Sequence, residues 1–359
     1  MWEQWCSRGG EKDGYQGRWG HKFFPLLFST AMNASHEHDT RHARSAAAVP
    51  LPRSPSPSPP APPLWTLPEL KVHKTDKQLI KLFQQHGMLH KAGVTCPSCE
   101  GTLSVYDDDY YTDGRRFRCP SCHIARGSRF NSAFPHFELP LLSLAQLLVY
   151  FNDRALVHQA AKWVGCDEST VGKLWKIIRQ RCSEYLTTHQ IRFTSDEIVE
   201  IDELYLKPLR HYDEDEEKMK WSPLIGAISR QTGAVALEVT PDHSAASIQA
   251  ALTPHLPSPS TRLITDEHKS FDILGRTNPH DNAFKEHRGA ASFPLTYWTR
   301  QPNSEPYPVH TNTIEGYWSQ FRTWLHTSHG WPADYLPLYL AECMFRSLHL
   351  PLTLVLQTE

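Results

Sequence analysis

Two CPSC tetrapeptides, Cys96–Cys99 and Cys119–Cys122, stand nineteen residues apart, giving the pattern C-x2-C-x19-C-x2-C. Each C-x2-C knuckle brings two thiolates within reach of one tetrahedral ion at about 2.3 Å per sulfur, and a second knuckle completes the shell. Between the knuckles, TLSVY and RRFRC read as short strands around the turn-forming DDDYYTDG. The spacing therefore predicts a zinc ribbon over 93–132, held by Cys96, Cys99, Cys119 and Cys122. With all four ligands supplied by protein, the zinc is expected to be structural rather than catalytic. The competing reading, a redox dithiol pair, lacks the βαβ context that such chemistry uses. Eight cysteines in 359 residues are too sparse for a disulfide scaffold and fit a reducing compartment.

Arginines cluster on this module. Arg115, Arg116, Arg118, Arg126 and Arg129 alternate with Tyr111, Phe117 and Phe130, a basic aromatic surface suited to DNA phosphate. A solvated basic face is the alternative. The wider charge distribution favours the first reading. From Lys71 to Arg192 there are 17 Lys and Arg against 11 Asp and Glu, and from Phe193 onward 13 against 22. A basic front half and an acidic back half, concealed in a net charge of −2, suggest a nucleic-acid-gripping part and a metal-binding part.

On either side of the ribbon the composition changes. Residues 1–65 end in the Pro-rich AVPLPRSPSPSPPAPPLW and read as an extended tail. Order is expected to resume in a short helical segment over 66–92, where TDKQLIKLFQQHG offers a capping Thr75, an apolar stripe and a closing Gly87. Over 138–190 the chain reads as an apolar helix, LLSLAQLLVYF, followed by two helices joined at Gly165–Glu168. That is a helix-turn-helix pattern. Val171, Leu174, Trp175 and Ile178 fall on its inner face. Ser169, Thr170, Lys173, Lys176 and Arg179 remain for an outer face that suits a DNA major groove. An ordinary three-helix bundle would show the same apolar period.

The acidic half begins with the alternating strand EIVEIDELYLKP, which carries Asp202. WSPLIGAISR and GAVALEV read as a hairpin, SAASIQAALTPHL as a helix, and TRLITDEHKSF as a buried strand ending at Asp266. The segment Tyr212–Lys218 reads as an acidic surface loop. Later, HTNTIEGYWSQFRTWL sets Asn312, Glu315, Ser319 and Arg322 on one helical stripe, beside an apolar stripe of Ile314, Trp318, Phe321 and Leu325. Three strands, a helix, a fourth strand and later helices predict a ribonuclease-H-like α/β domain over 196–348. In such a domain Asp202 and Asp266 lie on neighbouring strands and Glu315 meets them from a helix. Three converging carboxylates stay ionised only if cations neutralise them, and an all-oxygen set suits two Mg²⁺ or Mn²⁺ ions. The whole is thus expected to be a multidomain α/β chain: zinc ribbon, helix-turn-helix, catalytic domain. No run is long enough to span a bilayer, and the N-terminus shows no secretory signal pattern.

The order of short helix, C-x2-C…C-x2-C, helix-turn-helix, EIDE, TDEHKSF and HTNTIEGYWSQFR resembles the zinc-ribbon transposases of ISXO-like insertion sequences and the eukaryotic Merlin DNA transposons. The resemblance spans about Thr75 to Arg346. It implies a DDE-type enzyme that cuts double-stranded DNA at transposon ends and joins the 3′ hydroxyl to target DNA, as a homo-oligomer on that DNA. Asp202, Asp266 and Glu315 would be its metal-binding triad and Arg322 its phosphate contact, with Asn312 in the same motif. The Pro-rich tail, the acidic loop and the ending HLPLTLVLQTE depart from the compact bacterial pattern. A domesticated or decayed relative that binds DNA without catalysis is the alternative. Acting on DNA, the protein is expected in the nucleus if eukaryotic, and otherwise in the cytoplasm on DNA.

Overall fold

Alternation of apolar residues along EIVEIDELYL builds the central strand of the sheet. The computed structural model describes residues 66–72, 75–206, 222–288, 291–295, 297–299, 306–327 and 335–358, all within one unit of the chain, 53–359. The Pro-rich tail and the acidic loop Tyr212–Lys218 lie outside the described residues. Three short strands, β1 (Ser104–Asp107), β2 (Arg115–Arg118) and β3 (Ala125–Gly127), form the antiparallel sheet of the cysteine module. The larger sheet contains β4 (Ile198–Leu206), β5 (Ser222–Ser229), β6 (Val235–Val239), β7 (Arg262–Thr265) and β8 (His280–Asn282). Its order is β6-β5-β4-β7-β8; the first three strands run antiparallel, while β7 joins β4 in parallel and β8 joins β7 in parallel. This is the strand order of a ribonuclease-H-like sheet, as the succession of elements predicts.

The helices are α1 (Leu67–Val72), α2 (Asp76–Gln85), α3 (Leu141–Asn152), α4 (Val157–Val164), α5 (Glu168–Thr188), α6 (Ala245–Leu252), α7 (Asn312–Thr327) and α8 (Leu336–Ser347). Thr75 and Gln78 form the expected capping box on α2. Gly165 takes the left-handed conformation (φ 77°) that ends α4 and lets α5 start three residues later. Alternation then sorts the sheet. Val199 and Ile201 pack with α6 and Phe271 on one face; Leu204 and Leu206 pack with Ile314, Trp318, Phe321 and Leu325 of α7 and with α8 on the other. No helix among the described residues is long and apolar enough to cross a membrane.

The helical segment does not stand apart from the sheet. α8 lies along α5, and Glu342 at its centre is only 2% exposed. Its two oxygens accept from Arg179 Nε and Arg346 Nε, each at 2.7 Å. Arg346 in turn donates to the carbonyls of Phe151 (2.7 Å) and Asn152 (3.1 Å) at the C-terminal end of α3. Leu352, Val355 and Leu356, from the C-terminal segment that departs from the bacterial pattern, close over the α2–α3–α5 core.

Glu342 provides a direct test. Burial raises its pKa, but the charges of Arg179 and Arg346 outweigh that and hold it below the usual carboxylate range. Its contribution is therefore present above the ordinary carboxylate pKa and lost as pH falls through the lowered value. Glu342→Ala leaves two buried guanidinium groups without their partner and is expected to cost about 3–5 kcal/mol near neutrality. Denaturant unfolding at a series of pH values should show the gap between the two proteins shrinking in acid.

Candidate active site

Glu200, two residues before Asp202 and on the same face of β4, is fully buried (0% exposed). Arg230 from the end of the β5 hairpin donates to it through Nε at 2.5 Å. The same guanidinium reaches the carbonyls of Pro308 (2.6 Å) and His310 (2.7 Å), so the chain entering α7 is tied to the sheet. Glu200 then caps that helix. It accepts the backbone N–H of Thr313 at 2.7 Å and of Ile314 at 3.0 Å, and the Thr313 hydroxyl at 2.8 Å. These N–H groups belong to the first turn, where a negative charge is also favoured by the helix dipole. Burial pushes the Glu200 pKa up, but His310, the Arg230 charge, the Ile314 N–H and the Thr313 hydroxyl together hold it below the ordinary value.

With its first turn fixed in this way, α7 lays Glu315 and Trp318 over the sheet. Trp318 Nε1 donates to Asp202 Oδ2 at 3.1 Å. Its ring passes over Gly226, the residue paired with Asp202 on β5; a Cβ there would stand 2.5 Å from two ring carbons. Glycine is thus required for indole and sheet to approach this closely. Glu315, in the first turn, accepts from the Thr311 hydroxyl at 3.0 Å. β4 and β7 pair in parallel through Glu200 and Ile264. Continuing that register by two residues sets Asp202 level with Asp266, which follows directly on β7 and accepts the His268 N–H at 3.1 Å.

Among the described residues, the four cysteines are the one group of three or more His, Cys, Asp or Glu side chains whose donor atoms all lie within 4.8 Å of one another. Asp202, Asp266 and Glu315 are more widely spread. The all-oxygen donor set of these three residues suits hard divalent cations.

The cysteine cluster is compact. Cys96 and Cys122 sulfurs are 3.5 Å apart, and Cys99 and Cys119 sulfurs 3.4 Å. A tetrahedral ion at 2.3 Å from each sulfur needs separations of about 3.8 Å, so the residues fit zinc. The two knuckles repeat one backbone design: Glu100 and His123 both take positive φ (59° and 62°), and their N–H groups return to Cys96 and Cys119 carbonyls at 3.0 Å. The Cys122 backbone N–H leads the interactions that bring the Cys119 thiol down to about 6, while at Cys99 the Gly101 N–H is outweighed by the Cys119 and Cys122 sulfurs, which push that thiol up to about 12. Only Cys96, Leu103, Phe117 and Cys119 form the module's buried apolar cluster. So small a core cannot fold unaided.

Several predicted DNA contacts take other places. Arg129 is buried: it pairs with Asp113 at 2.5 Å and donates to the carbonyls of Phe137 and Leu139, both at 2.6 Å. Arg179 is held by Glu342, and Lys176 donates to the Tyr335 hydroxyl at 3.1 Å. The loop 137–139 turns Arg129, and helix α8 turns Arg179, away from an outer DNA-facing surface, while Lys176 is half-buried. Arg115 and Arg116 pair with Asp107 (3.3 Å) and Asp108 (2.9 Å). Arg126 is half-buried, its guanidinium 5.8 Å from the Phe130 ring centre, and Arg118 is exposed. Ser169 and Lys173 are exposed and Thr170 half-buried on the first turns of α5; Asn312, Ser319 and Arg322 are exposed on α7. Sequence reading passed over Glu200, Arg230 and Gly226. The one available signal was parity: Glu200 shares the face of Asp202.

The strand order and directions of the larger sheet are those of the ribonuclease-H-like class. Residues 194–347 match the family model of the ISXO2-like transposase domain. No curated protein matches the sequence. Among solved structures, the magnesium complex of the HTLV-2 integrase catalytic core in its dimeric form is similar at 12% identity and a TM-score of 0.25, covering 42% of this chain and 84% of that one. The Mos1 paired-end complex with the left transposon end is similar at 15% identity and a TM-score of 0.17, covering 38% and 55%. A pre-cleavage Mos1 transpososome is similar at 11% and 0.19, covering 57% and 76%. Superpositions this loose carry no weight for the site.

Two outcomes are expected. Gly226→Ala should displace Trp318 and cost about 1–3 kcal/mol of stability through overpacking, measured by thermal unfolding. The purified full chain should hold one zinc, and Cys119→Ser should lose it, with the remaining knuckle cysteines then open to alkylation. Metal analysis and mass spectrometry of the alkylated protein read both.

Proposed function

We propose that this protein is a DDE-type DNA transposase that cleaves and joins strands at transposon ends. The observation that carries this reading is the latch of α7 on the sheet: Glu200 and Trp318 hold the helix bearing Glu315 over β4, the strand that carries Asp202 and that β7 joins in parallel. Asp202, Asp266 and Glu315 would hold two Mg²⁺ or Mn²⁺ ions. Bound there, such ions activate the attacking oxygen and stabilise the leaving one.

The chain's own residues orient the reaction. In the first step water displaces the 3′ oxygen of the scissile phosphodiester, leaving a 3′ hydroxyl and a 5′ phosphate. In the second, that hydroxyl displaces the 3′ oxygen of a target-strand phosphodiester. Arg322 stands seven residues beyond Glu315, about 10 Å along α7 at 1.5 Å per residue, placed to contact a phosphate near the cut. Asn312 flanks Glu315 on the same exposed stripe. Ser169, Thr170 and Lys173 on α5, in a helix-turn-helix, and Arg118 with Arg126 on the ribbon grip the duplex outside the cut. The zinc holds the ribbon together and takes no part in the chemistry. The protein works as a homo-oligomer bridging DNA ends, in the nucleus if the host is eukaryotic.

A second reading, a transposase-derived DNA-binding protein without catalysis, is favoured by one observation: the three carboxylates are spread beyond 4.8 Å. Strand-transfer gels with Mg²⁺ or Mn²⁺ separate the two. The enzyme reading expects joined product that Asp202→Asn and Glu315→Gln each reduce by about a thousandfold, the loss of several kcal/mol of transition-state stabilisation. Joined product at equal rate from either variant would defeat it. DNA binding with no cleavage by the wild type would establish the second reading.

A further inference from the structure

Glu200 and Asp202 share the face of β4 that α7 covers, and they are held in opposite ways. Glu200 is fully buried and meets a guanidinium, Arg230 Nε at 2.5 Å, so its charge is matched within the protein. Asp202 is half-buried and receives the indole of Trp318, Nε1 to Oδ2 at 3.1 Å. An indole N–H is a donor only and brings no charge. A lysine or arginine delivered to the same oxygen would repel an incoming cation. The indole sets how the carboxylate lies without cancelling the charge that a divalent ion requires. A carboxylate oxygen has two lone pairs, so accepting one N–H does not close it to a metal.

The fit that delivers this donor is close. Trp318 is 3% exposed and shares one buried cluster with Ile314 and Phe321, the Phe321 ring centre 6.0 Å away and inclined at 61°. Its ring lies on Gly226, the β5 residue paired with Asp202. A Cβ at Gly226 would stand 2.5 Å from two ring carbons and 3.2 Å from Ile314 Cδ1, so a side chain there would push both off the sheet. A ring packed this way keeps one orientation, and its N–H keeps one direction. An apolar side chain would serve the packing of α7; tryptophan adds a single N–H, and that N–H is given to Asp202. Partners of this kind strengthen metal binding, because the ligand is already oriented when the ion arrives.

We propose that Trp318 is a positioning residue for metal binding: its indole N–H holds the Asp202 carboxylate in one orientation for a divalent cation, and Gly226 is the residue that admits it. This rests on the reading of Asp202 as a metal ligand.

The test titrates Mn²⁺ into the full chain and follows the free ion by electron paramagnetic resonance, so that it reads binding and not turnover. Trp318→Phe keeps an aromatic ring in the cluster and removes the N–H. Gly226→Ala keeps the N–H and pushes it off Asp202. Each should weaken Mn²⁺ binding about tenfold or more, the range found when an outer partner of a metal ligand is lost. Leu325→Ala, in the same cluster seven residues beyond Trp318, should lower the melting temperature and leave Mn²⁺ affinity unchanged. Should Trp318→Phe fail to fold, Gly226→Ala carries the comparison. Unchanged Mn²⁺ affinity in the folded variants, or equal weakening in Leu325→Ala, overturns the proposal and leaves the transposase reading intact. Wild-type binding no tighter than that of Asp202→Asn overturns both.

Discussion

The buried carboxylate of Glu200 is the interaction on which the geometry of the site depends. An ion out of water costs several kcal/mol, and here one guanidinium, two backbone N–H groups and a hydroxyl offset that cost together. Because the acceptor is a carboxylate on β4 and the donors are the first turn of α7, helix and strand are fixed to each other within hydrogen-bond lengths. Glu315 is the residue after the last N–H that Glu200 binds, and Asp202 is two residues along the strand. Both site carboxylates therefore inherit their placement from one contact. Trp318 sets the other coordinate, the roll of the helix, by reaching Asp202 over the only side-chain-free position on the facing strand.

Much of this was readable from the residues. The parity of IVEIDEL sorts β4 into two faces, the stripe Ile314–Trp318–Phe321–Leu325 is the buried face of α7, and the cysteine spacing brings four sulfurs together. What could not be read is what covers an element from far along the chain. Lys176 and Arg179 fall on the polar side of α5 by period, and only α8, some 160 residues later, turns that side inward. Glu200 fails for the same reason: an acid between Val199 and Ile201 looks like an outward position of a half-buried strand. Its partners sit 30 and more than 100 residues away, and nothing local marks it as a cap for a distant helix.

Arg129 shows a different limit. Its neighbours Arg126 and Phe130 make a basic aromatic run, but the Asp113 carboxylate across the ribbon meets it in a bidentate pair while two carbonyls take its remaining donors. Arginine's five donors in a planar fork suit both phosphate and such a staple. Composition cannot distinguish them; only the count of acceptors within reach can.

The same device recurs at the seam between helices and sheet. Glu342 joins α8 to α5 through Arg179 and, through Arg346, to the carbonyl end of α3, so two guanidinium groups and a carboxylate stand where an apolar contact would be no less stable. What an apolar contact lacks is direction. Leu or Phe at these places would let α8 slide along α5 by a fraction of a turn, whereas a bidentate carboxylate accepts one alignment. Sliding there would displace the first turns of α5 relative to β4, and with them any DNA held at Ser169 and Lys173 relative to Asp202. Two buried acids thus act in series: Glu200 fixes the strand of Asp202 to the helix of Glu315, and Glu342 fixes α8 to α5.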